Sequence, residues 1–154
     1  MKSHRLTVVT LAALSVLSFG CAEDLDDSVG DNAPHGTAAP GAIAVNGVVK
    51  DWKVLVDRHS IHAGEVTFTV ANQGTIGHEF LVVRTDNADG AIPLEGDRFS
   101  EENESLLVID EIGEYPINTT EELTVTLEPG SYQLVCNLPG HYEKGMHTSF
   151  NVAA

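Results

Sequence analysis

The sequence predicts an all-β domain, a sandwich or barrel of short strands, and three observations carry the prediction. Apolar and polar residues alternate with period two, as in Val66-Thr67-Phe68-Thr69-Val70 and Leu123-Thr124-Val125-Thr126-Leu127. The apolar members are mostly β-branched or aromatic, which suits a pleated surface with one buried face. Turn-forming residues divide the runs: Ala63-Gly64, Asn72-Gln73-Gly74, Asn87-Ala88-Asp89-Gly90 and Glu128-Pro129-Gly130. Gly and Asn tolerate the left-handed backbone of tight turns, and Pro presets φ for a turn's second position. Short strands at this spacing belong to sandwiches and barrels.

The chain opens on a leader. Met1-Lys2-Ser3-His4-Arg5 is basic, and Leu6 to Phe19 is apolar but too short to serve as a stable membrane span. Residues 1–20 are therefore a signal peptide and take no part in the fold. The leader ends in Leu17-Ser18-Phe19-Gly20-Cys21, which looks like the lipobox of bacterial lipoproteins, with Leu17 four residues before the Cys and a bulky Phe19 between. Lipidation at Cys21 is favoured over ordinary cleavage near Gly20 or Ala22. Either outcome exports the chain, to the periplasmic face of a bacterial membrane if the lipid is added. Residues 21–41 read as a flexible acidic linker: Glu23, Asp24, Asp26, Asp27 and Asp31 crowd into it, and Gly30, Pro34, Gly36, Pro40 and Gly41 follow. High charge with little to bury argues against a packed structure there. His35 falls in this linker.

Residues 42–154 suffice for one domain with a single core. The full chain has 23 acids against 8 bases and a formal charge of −15. Lys2 and Arg5 leave with the leader, so the mature chain is near −17, 23 acids against 6 bases. That charge excludes nucleic acid as a partner. Within the domain, Trp52, Val54 and Val56 form one alternating run, and Val66 to Val70 form the next. His78 to Val83 and Leu106 to Ile109 are short strands, and Leu123 to Leu127 is another. Residues 87–105 carry Gly90, Pro93, Gly96 and the acidic run from Glu101, and are expected to be a surface excursion with a short helical turn. Two strands close the domain. In Tyr132 to Cys136, the Cys shares a face with Tyr132 and Leu134. In Met146 to Val152, Met146 shares a face with Phe150 and Val152, while His147 points outward.

Between those last strands lies the most informative stretch, Cys136-Asn137-Leu138-Pro139-Gly140-His141-Tyr142-Glu143-Lys144-Gly145-Met146. A thiol, an imidazole and a thioether are each separated by four residues. A helix would place His141 about 140° round from Cys136, and Pro139, Gly140 and Gly145 would break it. An extended strand would hold Cys136 and His141 roughly 16 Å apart. A loop that folds back brings all three together. A lone Cys or Met is commonly core filler. Here, however, the chain has 2 Cys and 2 Met, and after Met1 and Cys21 the remaining one of each lies in this loop beside a His. Soft sulfur plus imidazole, with Met as a weak axial donor, suits one copper ion.

Such a site needs a second imidazole. His78 opens a strand after Asn72-Gln73-Gly74-Thr75-Ile76-Gly77 and shares parity with Phe80 and Val82. Together with Gly64-Glu65-Val66-Thr67-Phe68 and Pro129-Gly130-Ser131-Tyr132, these segments resemble the cupredoxins, the blue type 1 copper proteins such as plastocyanin, azurin and sulfocyanin. The resemblance spans most of residues 43–154. It implies a Greek-key β-sandwich or barrel and a copper ion held by His78, Cys136, His141 and Met146. Glu79 departs from the Asn that plastocyanin and azurin carry after the first His, where it ties the two ligand-bearing segments together.

The expected function is electron transfer by one copper ion cycling between Cu(II) and Cu(I). A closed ligand set leaves no position for a substrate, so the chain is not expected to be an enzyme. The family resemblance places the electron's exit at His141, with Leu138, Pro139 and Tyr142 as an apolar docking rim. The expected partners are redox proteins, a cytochrome c or a membrane redox complex. The competing reading is copper tolerance or delivery on the same fold, with His59 and His62 collecting copper; alone, those two read as a solvated surface pair. A multicopper enzyme fits poorly with one domain and no His-x-His motif.

Overall fold

The computed structural model describes residues 41–154. The leader, Cys21, the linker up to residue 40 and His35 lie outside the described residues. Among those described there are nine strands and no helix. One sheet has the order β2-β1-β4-β7, formed by Lys53–Val56, Ile43–Lys50, Gly64–Asn72 and Thr120–Leu127. The other has the order β3-β9-β8-β5-β6, formed by Ser60–His62, His147–Ala153, Gly130–Val135, His78–Thr85 and Leu106–Tyr115. Parallel pairing of β1 with β4 and of β3 with β9 makes both sheets mixed.

The core lies between the sheets. Val66, Phe68 and Val70 on β4 face inward opposite Val125 and Leu123 on β7. Phe80 on β5, with Tyr132 and Leu134 on β8 and Phe150 and Val152 on β9, fills the space from the other side. Phe68 bridges the sheets, with ring centroids 5.4 Å from Phe80 and 5.7 Å from Phe150. Such tilted pairs add about 0.5–1.5 kcal/mol each beyond their buried area.

Two strands escape the alternation rule. In β1 the inward series runs Val45, Gly47, Val49, and Gly47, which lies against Val70, interrupts the apolar signal. The other, β3, is three residues long, too short to show a period. Further along, β6 continues beyond Ile109 to Tyr115 as a sheet edge, with register shifts against β5 that obscure its period. Trp52 does not join the inward series of Val54 either. It sits in the β1–β2 turn with φ of 136° and remains 37% exposed.

Residues 87–105 differ from the expected excursion. No helical turn forms there, and the segment is not merely superficial. Ile92 and Phe99 are buried, and with Leu81, Val83, Leu106, Val135 and Tyr142 they build a second core on the outer face of the five-stranded sheet. Buried polar groups fix the segment in place. The Gln133 amide donates to the carbonyls of Asn87 and Ala88 and accepts from Gly90 N–H. The Gly90 backbone is left-handed, with φ of 71°, and a Cβ there would come within 2.6 Å of the His147 ring.

Candidate metal centre

Strand order assembles the site. In the five-stranded sheet β8 lies between β5 and β9 and runs antiparallel to both, so its C-terminal end meets the N-terminal ends of its neighbours. Cys136 follows the last residue of β8, His78 is the first residue of β5, and Met146 immediately precedes β9. The intervening loop folds back through turns closed by His141 N–H to Leu138 O at 2.9 Å and Gly145 N–H to Tyr142 O at 2.9 Å. Its base is sealed by Cys136 N–H to Met146 O at 3.0 Å and Met146 N–H to His141 O at 3.2 Å.

Three of the four residues expected to hold metal meet there. His141 Nδ1 lies 3.3 Å from His78 Nδ1 and 3.2 Å from Cys136 Sγ. One donor atom from each of the three falls within 4.8 Å of the others. With bonds of about 2.0–2.3 Å to nitrogen and sulfur, donors around one ion stand roughly 3.5 Å apart, so this set fits a single soft ion. His78 and Cys136 are fully buried, as is Met146, which shares the apolar cluster of Cys136. His141 retains 8% exposure. Among the described residues this is the one group of three or more His, Cys, Asp or Glu donors drawn so close.

Burial sets the protonation states. The Cys136 thiol is pushed up to about 11 by desolvation, against the backbone N–H groups of Glu79 and Leu138 that point at the sulfur. It is therefore a neutral thiol at pH 7, and a bound metal must displace its proton. The same N–H groups then stabilise the thiolate. His141 is held below its ordinary value by burial first, then by His78 and Lys144, which leaves it neutral and available as a ligand.

Several neighbours carry the site without a local signal in the sequence. Glu79 joins the two segments that carry the donors. Its Oε1 accepts the Asn137 N–H at 2.6 Å, and its own N–H points at Cys136 Sγ at 3.5 Å, tying the β5 segment to the ligand loop. Burial pushes its carboxyl up to about 7, helped by Glu101 and Glu111 and opposed by that Asn137 bond. The Asn137 side chain accepts from Phe99 N–H and donates to Phe99 O and Glu101 Oε1, so the outer segment clasps the loop. Asp51 accepts from His78 Nε2 at 3.1 Å, and bonds from Thr75 hold its carboxyl below its ordinary value. Trp52 meets the His141 ring edge-on at 5.2 Å and 85°, with Lys144 Nζ 4.0 Å above the indole.

Leu138 is half-buried and Pro139 exposed, but Tyr142 leaves the rim: it is buried in the outer core, donating to Gln133 Oε1 and accepting from Ile92 N–H. The exposed aromatic beside His141 is Trp52. His59 and His62 are exposed, with Nδ1 atoms against the carbonyls of Ser149 and Ala154, and belong to no donor cluster. His147 is partly exposed and paired with Asp89 at 2.9 Å.

In sequence, no family model matches the chain and no curated protein matches it. In structure it is similar to reduced auracyanin from the photosynthetic bacterium Roseiflexus castenholzii, at 20% identity over 73% of this chain and 97% of that one, with a TM-score of 0.51. It is also similar to rusticyanin from Thiobacillus ferrooxidans, at 19% identity over 79% and 86%, TM-score 0.54. An azurin from the methylotroph Methylomonas sp. strain J matches at 17% identity over 75% and 100%, TM-score 0.52. At these identities the likeness is one of fold, and the two mixed sheets with their His-Cys-His end have the fold of the cupredoxins.

Proposed function

We propose that this protein is a single-copper electron carrier, exported and held by a lipid on Cys21 at the periplasmic face of a bacterial membrane. The observation that carries the proposal is the meeting of His78 Nδ1, His141 Nδ1 and Cys136 Sγ within one ion's reach, all three buried. Among the structural neighbours, rusticyanin is described as a copper protein, and both it and auracyanin have been seen in reduced form. Copper bound by such a donor set supplies a one-electron couple with little rearrangement. The chain's residues do the rest. His78, Cys136 and His141 would hold the ion, with the buried Met146 as the further sulfur donor. The two N–H groups aimed at the sulfur hold the thiolate. Buried His78, Cys136 and Met146 admit no substrate, which favours a carrier over an enzyme. His141 is the donor that reaches the surface, so its ring, edge-on to Trp52, would be the path for an electron. A cytochrome c or a membrane redox complex would dock on that face.

The test is metal content and spectrum. The purified mature protein should take up one copper per chain and show intense visible absorption from the copper–thiolate bond. Cys136→Ser should fold and lose that absorption. A Cys136→Ser protein with the full band would sink the proposal.

A further inference from the structure

We infer that the turn Lys50–Lys53 between β1 and β2 is part of the metal site, with Asp51 and Trp52 as positioning residues that set the two imidazoles before metal arrives. This rests on the copper reading above, but its first test does not.

The geometry at His78 is decisive. A carboxylate accepts hydrogen bonds and donates none. His78 Nε2 lies 3.1 Å from Asp51 Oδ1, so Nε2 carries the proton. In the neutral ring Nδ1 then holds the free lone pair, and Nδ1 is the atom facing His141 and the cysteine. Asp51 thus selects the one tautomer that presents a donor to the metal. Its own position is fixed independently: Thr75 donates to it through both N–H, at 3.1 Å, and Oγ1, at 2.6 Å. The backbone has been shaped to allow this contact. A Cβ on Gly74 would come within 2.5 Å of His78 Nε2 and 2.8 Å of Asp51 Oδ1, cutting across the hydrogen bond.

The next residue acts on the other ring. Trp52 has φ of 136°, which a side-chain-bearing residue rarely adopts, and a glycine would hold that backbone without strain. The indole that the strained backbone carries sits edge-on against His141, and Lys144 covers its face. Gly145 permits the approach, since a Cβ there would stand 3.3 Å from Trp52 O. An outlier backbone placed on a ligand is the pattern by which strain marks function.

The experiment starts with the metal-free protein labelled with nitrogen-15. Long-range proton–nitrogen spectra should show His78 protonated at Nε2 in the wild type and as a mixture of tautomers in Asp51→Ala. In Asp51→Asn the amide oxygen still accepts, so the tautomer should persist; if the alanine variant does not fold, Asp51→Ser, whose shorter side chain stops short of Nε2, should give the mixture in its place. Copper competition titrations should then show a 10–100-fold loss of affinity for Asp51→Ala, the range typical of losing a partner to a ligand histidine. Thr75→Val, which disturbs the turn but leaves the carboxylate, should keep the His78 tautomer. Trp52→Gly should melt no lower than wild type yet broaden the His141 ring signals and speed copper release. An unchanged His78 tautomer in Asp51→Ala, or His141 signals and copper release in Trp52→Gly that match wild type, would overturn the inference. A wild type that shows the Nε2–H tautomer yet takes up no copper would overturn the copper reading and leave the positioning role standing.

Discussion

Glu79→Gln isolates one carboxyl beside the site and gives a signed dependence of stability on pH. In the folded metal-free protein the Glu79 carboxyl lies at about 7, against 4.5 for an ordinary glutamate, because burial penalises its charge. A raised carboxyl means that the folded state holds the proton more tightly than the unfolded chain does. Its contribution is therefore fully present below pH 4.5 and is lost as pH rises through 7. The difference between 4.5 and about 7 sets a ceiling of about 3 kcal/mol. Glu79 is only half-buried, so solvent screening reduces that to about 1–2 kcal/mol. Glutamine keeps an oxygen for the Asn137 N–H and cannot ionise. Urea denaturation of both metal-free proteins between pH 4.5 and 8 should show the wild type losing about 1–2 kcal/mol more than the variant. The general repulsion among the other acids is common to both and cancels in the difference. Parallel curves would show that Glu79 is not buried against the ligand loop as described.

Three further outcomes follow from other parts of the molecule. Met146→Leu should keep copper and colour but raise the reduction potential, and Met146→Gln should lower it; voltammetry that finds both equal to wild type would remove Met146 from the metal. Asn137→Ala should cost about 1–3 kcal/mol, because Phe99 N–H and C=O lose their partner in a buried setting, and hydrogen exchange should accelerate across residues 92–101. Mass spectrometry of the native N-terminus should find a lipid on Cys21, and Cys21→Ala should move the protein from membrane to soluble fractions; an unmodified N-terminus in the soluble fraction would show a diffusing carrier instead.

The sheets, and the meeting of His78, Cys136 and His141, were largely legible in the sequence because both rest on local signals. Period two places Val66, Phe68 and Val70, and parity from Tyr132 aims Cys136 inward. One loop holds a Cys, a His and a Met with no rival for the sulfur roles. What stayed hidden depends on long-range contact. Asp51 reaches His78 across 27 residues, and Asn137 reaches Phe99 across 38. Trp52 misled the pattern because alternation continued through a turn whose backbone is left-handed. Residues 87–105 looked superficial because Gly, Pro and acids dominate them, and two buried residues, Ile92 and Phe99, are too few and too far apart to show a period. Tyr142 is hidden for another reason: a loop aromatic carries no sign in the sequence of which side it faces.

The outer core changes what can be exchanged between proteins of this architecture. Around the loop 136–146, neighbouring residues serve opposite sides: Cys136 enters the inner core, while Val135 and Tyr142 enter the outer one and Asn137 is bound to Phe99. The loop is thus not a self-contained cassette. Transplanting 136–146 alone into another sandwich would strand the Asn137 amide and the Tyr142 hydroxyl, whose partners lie on Phe99, Ile92 and Gln133. A working graft must carry residues 86–105 with it and a glutamine at the position of Gln133. Conversely, insertions in 86–105 would be felt at the metal through Asn137 even though none of those residues is a ligand.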